Sequence, residues 1–164
     1  VPKTDYKFVT VDAKALLESV LFEFRAKARD KEVNLRLVAP TGGPLSIEVD
    51  PVRLSMALEN LIDNAIKYTL PGGHVDVALE SSPGMLTISL VDNGIGIPVA
   101  EQGKIFQRFF RSSNAVKTTL HGMGLGLFVA KAIAERHDGT LTFTSEEGKG
   151  TTFKLVLPLK QNKL

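Results

Sequence analysis

Apolar and polar positions repeat along this chain with two periods, and the switches between them mark out the elements. From Asp12 to about Ala28 the repeat is helical, with Ala15, Leu16, Val20 and Phe24 on one side and Asp12 placed to cap the start. Val33–Val38 alternates like a half-buried strand, TGGP turns, and LSIEVD reads as a second short strand. The stretch from Asp50 opens with an N-cap residue and Pro51 at the first helical position, which predicts a helix running to the LPGG break. HVDVALE and Leu86–Val91 alternate on either side of SSPG and predict a β-hairpin. Val99 to about Thr119 is weakly patterned, with one short helix expected around Lys104–Phe109. A helix is expected through FVAKAIAERH, and GTLTFTS and GTTFKLVLP read as closing strands joined across EEGKG. Strands in adjacent pairs with long helices between them predict an α/β two-layer sandwich. It would have one mixed, largely antiparallel sheet with helices on one face.

Composition narrows the function classes. The chain has 164 residues, enough for one domain with a sizeable core, and 43% of them are hydrophobic. A net charge of +2 makes no general electrostatic case for nucleic acid or an acidic membrane surface. There are no cysteines, which excludes disulfides and thiolate metal sites and is compatible with a cytoplasmic setting. No apolar run approaches the roughly 20 residues that span a bilayer. The chain opens in mid-pattern without an initiator Met, so the expectation is a fragment of something longer.

Four stretches carry candidate chemistry. In LENLIDNAIKYT, Leu54, Leu58, Leu61, Ile62, Ala65 and Ile66 share one helical arc, while Asn60, Asn64 and Lys67 form a second. Two readings fit the second arc: a solvated face, or an oxygen ligand and a cation facing a magnesium-bound polyphosphate. VDNGIGIP places Asp92 at a strand end before Gly94 and Gly96. It is either an ordinary turn or a carboxylate facing an exocyclic amine, with glycines admitting a planar ligand. GMGLGL, Gly122 to Leu127, opens a helix and is either a tight packing loop or a phosphate cradle. It fits neither the P-loop spacing nor the dinucleotide fingerprint. IFQRFFRS is either a satellite core under a long loop, or a lid with aromatic anchors and Arg108 or Arg111 reaching a terminal phosphate.

In this order, NLIDNAIKYT, DNGIGIP, IFQRFFR, GMGLGL and GTTF resemble the asparagine, glycine, phenylalanine and Gly-Thr boxes of the sensor histidine kinase catalytic domain. The resemblance runs from about Phe8 to Pro158. It implies the Bergerat sandwich, ATP and Mg²⁺ as cofactors, and transfer of the γ-phosphoryl group to a histidine on a separate helical dimerisation domain. A response regulator would act downstream. It implies Asn64 as the magnesium ligand, Asn60 beside the phosphates, and Lys67 and Tyr68 lining the phosphate and adenine-ribose sides. Asp92 would bind the adenine amine in a pocket shaped by Gly94, Gly96 and Ile97. Gly122, Gly124 and Gly126, with Leu125 and Leu127, would close on the phosphates, and Thr151 would lie on the adenine side. Catalysis would rest on Asn60, Lys67, Arg108 and Arg111. ATP-hydrolysing relatives carry a glutamate base at the position of Asn60. An amide cannot take that role, and Glu59 lies about 100° away around the helix. That disfavours the alternative of a simple ATPase; a non-catalytic nucleotide or partner module is the third reading. Asp138 stands where the family usually has glycine. None of His74, His121 and His137 suits the acceptor role, and a cytoplasmic location is expected.

Overall fold

The computed structural model describes residues 5–118 and 124–162. Strand β1 (Val9–Asp12) leads into α1 (Ala13–Asp30), followed by β2 (Asn34–Val38) and β3 (Ser46–Val49). Helix α2 (Pro51–Tyr68) precedes the hairpin β4 (His74–Ser82) and β5 (Met85–Asp92). A 3₁₀ turn at Val99–Lys104 leads to the short helix α3 (Ser113–Thr118), then α4 (Gly126–Arg136), β6 (Thr140–Glu146) and β7 (Gly150–Pro158).

Five strands form one sheet in the order β2-β4-β5-β7-β6, in which only the β2–β4 pair is parallel. This is the mixed, largely antiparallel sheet that the alternation predicts. Alternate residues Leu86, Ile88 and Leu90 of β5 and Phe153, Leu155 and Leu157 of β7 are buried under the helices. Leu54, Leu58, Leu61, Ile62, Ala65 and Ile66 of α2 are buried with them, as the helical arc requires.

Three features differ from the sequence pattern. A second sheet of two strands pairs β1 with β3, Val9 opposite Val49. Its first strand has only four residues, too few for alternation to register. The buried stripe of α1 is Ala13, Leu17, Val20, Leu21 and Ala28, whereas Ala15 is exposed, so the helix is turned relative to the expected face. The expected helix at Lys104–Phe109 is absent: the 3₁₀ turn ends at Lys104, and Phe109 adopts a left-handed φ of 63° that no helix accommodates.

Both long helices start on capping aspartates. Asp12 accepts from the Lys14 amide and Asp50 from the Arg53 amide, each cap contributing about 1 kcal/mol. The C-terminal end of α4 meets the start of α2 at His137, which is fully buried. Its Nδ1 donates to the Ile133 carbonyl at 2.8 Å and its Nε2 accepts from the Asp50 amide at 3.1 Å, so the ring is neutral with its proton on Nδ1. Tyr6 and Phe8 pack edge-on against it. Asp138, in place of a glycine, takes a left-handed φ of 56°, which aspartate tolerates in a turn.

Burial pushes the His137 pKa below its usual 6.5, outweighing the Ile133 hydrogen bond and the nearby Asp50 charge. The unfolded chain therefore takes up a proton first as pH falls. Stability is expected to decline below pH 6.5 and to level off once the folded-state pKa is passed. Denaturation midpoints measured across that window should show the decline in the native chain and not in His137→Asn. An equal decline in both would place its origin elsewhere.

Candidate functional site

The last turns of α2, the loop after β5, the loop and α3 of the long connection, the start of α4 and the first residues of β7 surround one cavity of about 280 Å³. Asn60, Asp63, Asn64 and Lys67 form one wall, because positions three, four and seven apart share a helix face. Tyr68, at the end of α2, continues it. Asp63 was not expected there. The helical spacing that groups Asn60, Asn64 and Lys67 includes it, so the signal was present.

Asp92, the last residue of β5, also lines the cavity. Its Oδ1 accepts from the Gly94 amide at 2.9 Å and the Thr151 amide at 3.2 Å. Oδ2 has no hydrogen bond among the described residues and is left for a ligand. Burial pushes the Asp92 pKa above the ordinary carboxylate range, although the two amides pull it down. Thr151 stands directly across from Asp92 in the β5–β7 register, and its hydroxyl lies 2.8 Å from Ser145 Oγ. Ser145 also accepts from the Ile97 amide at 2.9 Å, so one serine joins β6, β7 and the glycine loop. Sequence reading missed Ser145 because its partners are far away in the chain.

Ile97, Gly96, Leu125, Gly126 and Leu127 line the cavity, as does Gly124. Gly126 approaches Asn60 so closely that a Cβ there would lie 3.4 Å from Asn60 Oδ1. Gly94 is not on the wall. It packs behind it, where a side chain would run into the Tyr68 carbonyl at 2.3 Å. Gly122 lies outside the described residues, as do Thr119 and His121.

The long connection serves as both core and wall. Phe106 packs against Phe143 and Phe153, with ring centroids 5.7 and 6.4 Å apart, which is the satellite core. Phe110, Arg111, Ser112 and Ala115 face the cavity. The two arginines separate: Arg111 is on the wall, with Nη2 3.3 Å from the Ala115 carbonyl, while the exposed Arg108 lies over the Phe128 ring at 4.6 Å. Asn114 donates to the Gly96 carbonyl at 2.9 Å and ties α3 to the glycine loop.

The described residues hold no group of three or more His, Asp or Glu side chains that would cage a metal ion. An amide oxygen on the cavity wall suits a magnesium ion that brings its own phosphate and water ligands. Glu59 does not line the cavity, so no glutamate stands beside Asn60 to act as base. No helix among the described residues is long and apolar enough to cross a membrane.

Comparison with known proteins gives the family. The family model described as "Histidine kinase-, DNA gyrase B-, and HSP90-like ATPase" matches residues 49–161. Sensor histidine kinase WalK of Bacillus subtilis is 41% identical over 119 residues, 71% of this chain and 20% of that protein. Sensor-like histidine kinase SenX3 of Mycobacterium tuberculosis is 34% identical over 148 residues, 90% of this chain and 36% of that protein. The chain thus spans about a fifth to a third of the length of these relatives. Among solved structures, the mycobacterial sensor histidine kinase MprB superposes with a TM-score of 0.79 at 30% identity, covering 95% of this chain and 100% of that one. The chain therefore belongs to the histidine kinase-, DNA gyrase B- and HSP90-like ATPase family, as a catalytic domain of the sensor histidine kinase type.

Proposed function

We propose that this domain binds Mg-ATP in the cavity and transfers the γ-phosphoryl group to a histidine on a separate helical dimerisation domain. A response regulator would receive the phosphate next, on the cytoplasmic side. The observation that carries the reading is the set of polar groups that line one cavity. Asn60, Asn64 and Lys67 come from α2, and Asp92, a half-buried carboxylate with one open oxygen, comes from the end of β5. The first group suits a triphosphate and the second an adenine amine.

In this reading, Asn64 offers its amide oxygen to the metal and Asn60 lies alongside the phosphates. Bound Mg²⁺ would offset the charge that builds on the phosphoryl oxygens. Lys67 and Arg111 add cationic charge from two walls, and the start of α4, at Gly126 and Leu127, lines the same space. Arg108, over Phe128, would have to leave that ring to take part. Thr151 and Ser145 hold Asp92 and the glycine loop in place for the base. Position 60 carries an amide, and the one carboxylate on that wall, Asp63, is held in ion pairs with Lys27 and Lys67. No free base is left to activate water, so the phosphoryl group passes to a nucleophile supplied from outside.

Incubated with γ-labelled ATP, the isolated chain is expected to acquire no acid-labile label, and a histidine-bearing helical domain added in trans is expected to acquire it. His137 is buried and His74 begins β4, so neither is placed to accept. Stoichiometric label on the chain alone, lost in His121→Ala, would overturn the external acceptor. Steady phosphate release into water would favour the ATPase reading.

A further inference from the structure

Asp63 places a carboxylate on the wall that the nucleotide reading assigns to a polyphosphate. A negative charge there repels the ligand, and no step of the proposed transfer uses it. Its surroundings show what it does instead. Lys27, from α1, forms a hydrogen-bonded ion pair with Asp63 Oδ1. On the other side, Asp63 Oδ2 lies 3.8 Å from Lys67 Nζ, one helical turn on. Lys31, just past α1, donates to the carbonyls of Ile66 (2.8 Å) and Lys67 and so fixes the last turn of α2. Charges therefore alternate from α1 into the cavity as plus, minus, plus. Of these three, Lys27 stands outside the cavity while Asp63 and Lys67 line it.

Lys67 alone would attract any polyphosphate. Asp63 offsets that attraction, and its repulsion grows with the charge of the ligand. Free ATP carries more negative charge than its magnesium complex, by the charge of the divalent cation. The same carboxylate therefore penalises the metal-free nucleotide more than the complex, which is selection by a repulsive element. We infer that Asp63, held by Lys27, makes this site select the metal-complexed nucleotide over the free one. The inference rests on the nucleotide reading of the cavity. A purely structural salt bridge would alter stability and leave that selection untouched.

The test is calorimetric titration of the folded chain with a non-hydrolysable ATP analogue, once with Mg²⁺ and once with a chelator. Asp63→Asn is expected to tighten metal-free binding by roughly threefold or more, and metal-complexed binding by less, at low salt. The effect should shrink as ionic strength rises. Lys27→Gln should act in the opposite sense, weakening the metal-free arm, and should do nothing further in the Asp63→Asn background. Asn64→Ala provides the contrast, because it narrows the preference by weakening the metal-complexed arm. An unchanged ratio of the two affinities in folded Asp63→Asn would overturn the inference. Loss confined to the metal-complexed arm would also overturn it, since Asp63 would then serve the metal directly. If the native chain binds the analogue in neither condition, the nucleotide reading itself fails.

Discussion

Replacing Asp92 by Asn is expected to reverse the purine preference of the site. In the native chain Oδ1 is occupied by the Gly94 and Thr151 amides, so the atom left facing the ligand is Oδ2, an acceptor that suits the exocyclic amine of adenine. Those amides require an oxygen at Oδ1. In the variant they keep it, and the amide nitrogen takes the place of Oδ2. A donor then faces the ligand where adenine also presents a donor, while guanine presents a carbonyl. Loss of a hydrogen bond to a charged group costs about 1.5–3 kcal/mol, or roughly 10- to 100-fold in ATP affinity. GTP should gain relative to ATP. Asp92→Ala should lower ATP affinity without favouring either base. Titrating both nucleotides against the three chains decides it, and equal ATP and GTP affinity in the native chain would remove the role assigned to Asp92.

The same residue sets a pH dependence. Burial holds the Asp92 pKa above its usual value, so acidification neutralises the carboxylate at a higher pH than an exposed aspartate would require. ATP affinity should fall as pH drops through that raised value. Stability should respond in the opposite sense. A carboxylate with a raised folded-state pKa costs stability while ionised, and that cost is recovered on protonation. Asp92→Asn is thus expected to bind ATP less well while being no less stable at neutral pH.

The second large effect belongs to Gly96. Its φ of 66° lies in the left-handed region, and an added Cβ would sit 2.1 Å from the Glu146 carbonyl oxygen. That oxygen belongs to the end of β6 and cannot swing away as a flexible side chain would. Left-handed strain contributes about 1–2 kcal/mol and overpacking about 1–3 kcal/mol more. Gly96→Ala is therefore expected to lower the thermal midpoint by roughly 5–15 °C for a domain of this size. It should also weaken nucleotide binding, because Gly96 lines the cavity and takes the Asn114 hydrogen bond. Gly43→Ala is the control, since nothing lies within 4 Å of its Cβ position and its φ is not positive. Equal midpoints for the two variants would show that the loop yields more easily than its contacts suggest.

Much of this molecule was legible in the chain itself, and the reason is locality. The polar wall of α2 follows from helical spacing alone, which places Asn60, Asn64 and Lys67 together whatever surrounds them. The Asp50 cap and Pro51 mark the start of that helix by rules confined to its first turn. Period-two alternation revealed β4, β5 and β7 because one face of each is buried against the helices. The order of the short motifs pointed to the family.

Tertiary structure decided what depends on partners distant in the chain. Asp92 and Thr151 are 59 residues apart, and only the β5–β7 register turns them into one acceptor with an open oxygen. Lys27 and Asp63 are 36 residues apart, and only the packing of α1 beside α2 makes a cavity-lining aspartate part of a row of alternating charges. The short α3 carries no periodic signal. It exists because Ser112 caps its Ala115 amide and Glu101 accepts from Ser113, contacts that a six-residue helix needs from outside itself. Arg108 and Arg111 were indistinguishable along the sequence. Phe109 takes a left-handed turn between them, which leaves Arg111 on the cavity wall and Arg108 over Phe128 outside it.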